Sequence, residues 1–267
     1  MKQQVLHICP DRPWVDLTTY QNTNRAVEPR RAMIVCPGGG YEHLSYREDE
    51  PVALMWASEG FQVFVLHYGL KENAKNFGPL IEACTAIRYV REHAAEYDVD
   101  PNRIFITGFS AGGHLAASAG TLWDSEAVRA AFGDVPTRMG RPDGTILCYP
   151  VISAGEFAHR GSMYNLTRED ATDEEQAPYS LENFVNKDTA PSFLWHTAND
   201  PVVPSMNSLL YASALAKSGV PYELHIYPDG VHGLSLCDKR SWDGVPPLVN
   251  PVPSDWVHHA VRWARQL

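Results

Sequence analysis

The stretch "ITGFSAGGHLAA" (residues 106–117) decides how the rest of the chain is read. A buried β-type run, "RIFIT" (103–107), leads into Gly108-Phe109-Ser110-Ala111-Gly112, and a run of small residues with helical character follows. G-x-S-x-G is a weak signal on its own. Between a strand and a helix it is the setting of a nucleophile elbow, a strained turn that presents its serine. The neighbours two positions away must be tiny, and Gly108 and Gly112 meet that need, while Gly113 leaves room for close packing. The elbow puts Ser110 at a helix N-terminus, whose partial positive charge favours an adjacent oxyanion. The backbone N–H of Ala111 is then the natural first donor of an oxyanion hole.

Outward from the elbow, strand and helix patterns alternate. Ala32–Cys36 reads as a buried strand, and "EDEPVALMWASEGF" as a helix with Val52, Met55, Trp56 and Glu59 in register and Gly60 as its stop. "FQVFVLHY" is the next strand; "GPLIEACTAIRYVREHAAEYDV" is an amphipathic helix with Leu80, Ala83, Cys84, Ile87, Val90 and Arg91 along one face. "DPNRIFITGFS" reads as a turn, a buried strand ending at Thr107 and a sharp stop at Gly108. "GTILCYPVIS", "PSFLWHTAND" and "YELHIYPDG" are three further strands, with "SMNSLLYASALAKSG" a helix before the last; "SDWVHHAVRWARQL" is a terminal helix with Ser254 as its expected N-cap. This alternation implies a parallel sheet covered on both faces. We expect a single α/β domain over residues 1–267, with charged, weakly periodic insertions at 121–143 and 152–190, the second the better candidate for a substrate-shaping cap.

A second loop belongs with the elbow. "CPGGGY" (36–41) follows the strand at 32–36, and three consecutive glycines let backbone approach a substrate without side-chain interference. Gly39 and Gly40 are the candidates to aim N–H groups at an oxyanion, with Gly38 supporting the turn. A phosphate loop does not fit, because no G-K-[ST] follows.

Eleven histidines compete to be the base. His114 is nearest in sequence, but it falls in the first turn of the elbow helix, where the dipole opposes positive charge, and no carboxylate lies between Ser110 and Asp124. A base that becomes imidazolium needs a carboxylate behind it; His114 therefore reads as a packing or hydrogen-bonding residue. His232, in "IYPDGVHGLSL", follows a strand in a loop with Gly230 and Gly233. Asp200, in "HTANDPVVP", follows the preceding strand in a turn closed by Pro201 and Pro204. Both fall at the C-terminal edge of the sheet, where ligands bind in open α/β folds. Asp229 is a rival acid with less room to face the ring, and His196 reads as a brace for the Asp200 turn. His43, beside the glycine loop, is a candidate substrate contact. His7, His67, His93, His159 and His225 have no loop-plus-acid context, and His258 and His259 lie on the terminal helix.

Composition narrows the field. Of 267 residues 44% are hydrophobic and 20% charged, enough for a large core. The net charge of −10 and the lack of a Lys/Arg run exclude nucleic acid as an expected partner. The five cysteines (Cys9, Cys36, Cys84, Cys148, Cys237) form no CxxC pair and read as buried free thiols, which fits a reducing compartment. No apolar run is long enough for a signal peptide or a membrane span, so a soluble cytoplasmic protein with no membrane partner is expected.

Taken together, "PGGGY", "VFVLHYGL", "GFSAGGHLAA", "HTANDPVVP" and "YPDGVHG", in that order over residues 30–235, resemble the α/β-hydrolase superfamily. The branch they resemble is that of acetylesterases, hormone-sensitive-lipase-like enzymes and bacterial acetyl-xylan-esterase-like proteins. The resemblance implies an α/β-hydrolase fold, with a mostly parallel central sheet, helices on both faces and short cap-like insertions. It implies a serine esterase working through an acyl-enzyme: Ser110, His232 and Asp200 as the catalytic triad, Gly39, Gly40 and Ala111 as the oxyanion hole, no metal and no cofactor. Two departures stand out. Pro37 replaces the loop histidine, and Gly69 stands where such strands often continue Tyr-Arg-Leu, so a structural arginine is missing. The proline form resembles the carbohydrate-esterase side, which makes an acetylated sugar or oligosaccharide the expected small-molecule ester substrate. Tyr41, Trp123, Tyr164 and Trp242 are candidate sugar-stacking surfaces. A serine peptidase or an arylformamidase on the same fold, and a non-catalytic ligand-binding receptor, are the alternatives. Whether the chain forms a homo-oligomer is left open.

Overall fold

A computed structural model describes residues 1–24 and 26–267. Its strands are β1 (Lys2–Leu6), β2 (Asp16–Gln21), β3 (Arg30–Cys36), β4 (Gln62–His67), β5 (Val99–Phe109), β6 (Gly144–Cys148), β7 (Ser192–Thr197) and β8 (Tyr222–Tyr227). Its helices are α1 (Glu50–Ser58), α2 (Gly78–Glu92), α3 (Ala111–Thr121), α4 (Glu126–Phe132), α5 (Arg160–Leu166), α6 (Asp173–Gln176), α7 (Met206–Lys217) and α8 (Trp256–Gln266). The strands form one sheet in the order β1-β2-β4-β3-β5-β6-β7-β8. β3 to β8 run parallel, whereas β2 pairs antiparallel with both β1 and β4.

Strand side chains alternate between two cores, as the period of two requires. Ile34, Phe64, Ile106, Leu147 and Leu194 face one core, shared with α2, α3 and α7. Met33, Val35, Val63, Val65, Phe105, Ile146, Phe193 and Trp195 face the other, closed by α1 and α8. Trp256 on α8 stacks on Trp195 at 5.4 Å between centroids, both fully buried, so the terminal helix is fastened to the middle of the sheet. A strand buried on both faces reads as a continuous apolar run, which is why β3 to β7 are visible in the sequence.

Three local expectations need correction. The first thirty residues carry two strands that the sequence reading did not anticipate: β1 is exposed from Lys2 to Val5 and has no apolar period to reveal it. The turn expected at Asp100-Pro101-Asn102 lies inside β5, as an irregularity between the Arg30–Val99 and Ala32–Ile104 pairs, and the strand continues past Thr107 to Phe109. Ser254 does not cap the terminal helix. Its hydroxyl donates to Pro251 O, a 3-10 turn covers Pro253–Asp255, and α8 starts at Trp256 after Asp255.

The five cysteines are buried and free. Among the described residues no helix is long and apolar enough to cross a membrane. Beside Gly69, the buried Glu82 carboxylate accepts from Arg12 Nη1 (3.0 Å), Trp14 Nε1 (3.1 Å) and the Gly69 N–H (2.7 Å). A Cβ at position 69 would come within 2.6 Å of Asn73 O, which leaves glycine as the fitting residue. Because β3, β5, β7 and β8 are parallel, the loops that leave their C-terminal ends meet along one edge.

Candidate active site

The turn after β5 is built by exclusion of volume. A Cβ on Gly108 would lie 1.9 Å from Gly112 O, and one on Gly112 would lie 2.1 Å from Cys36 O. With both positions bare, the backbone reverses at Ser110, which sits at φ 53°, ψ −116°, a region that L-residues rarely adopt. Two bonds hold that geometry: Ser110 N–H donates to Cys148 O and Val151 N–H donates to Ser110 O, both 3.0 Å. Ala111 follows as the first residue of α3.

Ser110 Oγ lies 2.9 Å from His232 Nε2, across 122 positions of sequence. His232 Nδ1 lies 2.7 Å from Asp200 Oδ2. The carboxylate can only accept, so Nδ1 carries the proton and Nε2 is left to accept from the serine hydroxyl. Asp200 Oδ1 accepts from the backbone N–H groups of Val202 and Val203, both at 2.9 Å, which fixes the carboxylate plane. Burial alone would raise the Asp200 carboxyl. His196 and His232 together with the Val202 N–H outweigh it and hold the group well below the usual carboxylate range. His196 braces the turn as expected: its Nε2 donates to Val203 O at 2.9 Å and stands 3.6 Å from Asp200. Asp229, the rival acid, is bonded to Asn199 instead. The Tyr149 ring meets His232 edge-on at 5.1 Å and limits its rotation.

The glycine loop faces the serine. Gly39 (φ 125°) and Gly40 (φ 68°) adopt conformations open to glycine, and both line a cavity of about 290 Å³ with Ser110 and His232. Gly38 is drawn inward: its N–H donates to the buried Glu48 Oε2 at 2.9 Å. Glu48 Oε1 accepts from the Tyr149 hydroxyl at 2.6 Å, and that hydroxyl accepts from Ser235 N–H at 2.8 Å. One buried carboxylate thus ties the glycine loop to the segment that carries His232. Pro37, in place of a histidine, contributes its carbonyl as acceptor for Tyr68.

The cavity is also lined by Glu42, His43, Ser45, Arg47, Glu48, His159, Val202 and Gly233. His43 is therefore at the site, exposed at the mouth. The aromatic candidates are not. Tyr41 is buried; its hydroxyl bonds His114 Nδ1 and its ring packs on Tyr68. Trp123 lines a different cavity with Phe184 and Asp188, and Trp242 packs on the second core under Lys239. Tyr164 is exposed in a neighbouring hollow that shares only Glu42 with the serine cavity. Glycine turns and strand ends position the site, so aromatic identity alone gave no guide to it.

The sequence reading missed Glu48, Arg47, Tyr149 and His159. Glu48 belongs to a charged run, "YREDE", that reads as solvated surface; only the fold buries it. His159 has no acid near it in sequence, yet it lies in the 152–190 segment expected to shape the substrate site, which is the available signal.

Residues 17–145 match the BD-FAE family and residues 85–241 match the prolyl oligopeptidase family. Over 80% of its length the chain is 36% identical to endo-1,4-beta-xylanase B of Butyrivibrio fibrisolvens, covering 34% of that protein. Over 77% of its length it is 33% identical to an acetylxylan esterase of Xylanibacter ruminicola, covering 41% of it. The chain thus spans well under half the length of these two relatives. The crystal structure of an acetyl ester-xyloside bifunctional hydrolase from Caldicellulosiruptor lactoaceticus superposes with a TM-score of 0.84 at 39% identity, over 98% of this chain and 96% of that one. The chain belongs to the α/β-hydrolase superfamily, on its acetylesterase-like branch.

Proposed function

We propose that the chain hydrolyses carboxylic esters through an acyl-enzyme, and that its substrates are short acyl esters, chiefly acetyl, on carbohydrates. The observation that carries the reading is the Ser110–His232–Asp200 relay, at 2.9 and 2.7 Å, opening into a cavity. Ser110 Oγ attacks the ester carbonyl while His232 Nε2 takes its proton, and Asp200 stabilises the imidazolium. The N–H groups of Gly39, Gly40 and Ala111 receive the oxyanion; removing one donor from such a hole costs about 10²–10³ in kcat. The tetrahedral intermediate collapses, the alkoxide leaves with the proton from His232, and the acyl group stays on Ser110. His232 then deprotonates a water that attacks the acyl carbonyl, and Ser110 is released with its proton restored. No step calls on a group beyond these residues and water.

The carbohydrate half of the reading is supported by the lining. Among the described residues that line the cavity, Val202 is the one hydrophobic residue; the others are glycine, polar or charged. The polar side chains of the lining offer partners to hydroxyl groups. Two relatives, named as a xylanase and an acetylxylan esterase, support this reading. Of the two insertions, residues 152–190 shape the site, through His159 in the lining and Asn165, whose side chain donates to Gly40 O at 2.9 Å. Residues 121–143 border other cavities.

The prolyl oligopeptidase family match favours a second reading, peptide-bond cleavage by the same relay. Rates on an acetylated xylo-oligosaccharide, 4-nitrophenyl acetate and an aminoacyl anilide separate the two. We expect both esters to turn over with the anilide at background, and intact-mass analysis during turnover to show an acetyl adduct that Ser110→Ala abolishes. Preference for the anilide, or turnover that survives Ser110→Ala, would refute the proposal.

A further inference from the structure

His159 enters the serine cavity from the 152–190 insertion, and its protonation is fixed by its own chain. It is the N-cap of α5, and its Nδ1 accepts the Ser162 backbone N–H at 3.3 Å. A backbone N–H can only donate, so Nδ1 carries no proton; the Ser162 hydroxyl, at 2.8 Å, therefore donates to it as well. The proton of the neutral ring must lie on Nε2. That nitrogen has no hydrogen-bond partner among the described residues, and His159 lines the serine cavity. The ring sits over the glycine loop, with its Cε1 4.0 Å from where a Gly40 Cβ would be. Of the groups beside it in the lining, Arg47 donates through Nη1 to Gly233 O, and Glu48 serves Gly38 and Tyr149.

We propose that His159 Nε2–H is a specificity-determining donor that binds a hydroxyl on the alcohol portion of the substrate, adjacent to the ester oxygen, so that the enzyme favours monoesters of vicinal diols. This rests on the ester-hydrolase reading above. The carbonyl oxygen has its own donors in Gly39, Gly40 and Ala111, which leaves the His159 donor for the alcohol side. Burial lowers the His159 pKa, and the neighbouring His232 lowers it further against the opposing pull of Asp200, which favours the neutral ring.

The test compares trans-2-acetoxycyclohexanol, a vicinal-diol monoacetate, with cyclohexyl acetate, the same ester without the hydroxyl. His159→Ser and His159→Thr both retain a good helix N-cap but withdraw the donor. Wild type is expected to prefer the hydroxylated ester. Either variant should lose about tenfold in kcat/KM on it and change less than twofold on cyclohexyl acetate, the hydroxyl-free rate reporting an intact fold. Equal losses on both esters would assign His159 to the oxyanion or to structure, and no loss on either would leave it without a role; both results overturn the inference. If wild type hydrolyses neither ester, nor the substrates named above, the failure lies with the ester-hydrolase reading and takes this inference with it.

Discussion

The first turn of α3 and the loop after β8 each present a histidine to the neighbourhood of Ser110, and their fates differ completely. His114 is four residues from the serine in sequence, yet α3 carries it beneath the sheet edge into the first core. Its Nε2 donates to Tyr179 O at 2.9 Å and its Nδ1 accepts from Tyr41 at 2.8 Å, so both ring nitrogens are satisfied inside the protein. Burial pushes its pKa down to about 4 against a small opposing effect of the Tyr179 bond. His232 has a carboxylate behind it, the serine hydroxyl in front, and a side chain still 16% exposed. The comparison teaches that a histidine becomes a base through the partners on its two nitrogens. Closeness along the chain counts for nothing if a helix turns the ring away.

The sharpest way to break this contrast is to remove each ring. His232→Ala should lower kcat/KM for an acetyl ester by about 10⁴–10⁶, since members of such a relay act as a unit. Asp200→Asn should cost about 10⁴, because the imidazole loses its tautomer and the imidazolium its counter-charge. His114→Gln should stay within tenfold of wild type when the rate is corrected for folded protein. Comparable losses for His114 and His232 would undo the assignment.

Glu48 sharpens the comparison from the other side, because it reaches both regions at once. Its two oxygens hold the Gly38 N–H and the Tyr149 hydroxyl, hence the glycine loop and the wall behind His232. Glu48→Gln turns one of those acceptors into an N–H₂ that faces a donor. We expect a 10–100-fold fall in kcat with the melting temperature lowered by only a few degrees, in keeping with the cost of small misplacements at a reacting centre. An unchanged kcat would mean that the glycine loop holds its shape without this carboxylate.

The parts of this site that were legible in the sequence are those written locally. Gly108, Gly112 and Ser110 announce a turn whose signature falls within five residues; Asp200 and His232 each follow a buried apolar strand and a turn signal. What was illegible depends on pairings between distant segments. Glu48 looks like surface until Tyr149 and Gly38 close over it, and His159 looks unpartnered until α5 places it over Gly40. The aromatic residues misled for the converse reason. Tyr41 has the composition of a sugar platform, but the turn after Gly40 points it inward to His114. The edge strand β1 left no trace because an exposed strand needs no apolar alternation.

The smallest effect concerns stability, and it isolates His114 from His232. A buried histidine held neutral at a pKa of about 4 resists protonation in the folded state, while the unfolded chain takes up the proton near 6.5. Between those values the unfolded state binds more protons, so stability rises with pH. The contribution is complete above about pH 6.5 and is lost as the pH falls towards 4, below which both states are protonated. At pH 5 the loss from this one group is about 2 kcal/mol relative to neutral pH. His114→Gln leaves a group that does not titrate, with an amide able to donate to Tyr179 O and a carbonyl able to accept from Tyr41. The variant should be less stable than wild type at pH 7, because a five-membered ring fits that space better, and the gap should narrow or close by pH 5. Urea midpoints at the two pH values measure this directly. A constant gap would place the acid sensitivity elsewhere, and with it the claim that α3 keeps its histidine neutral.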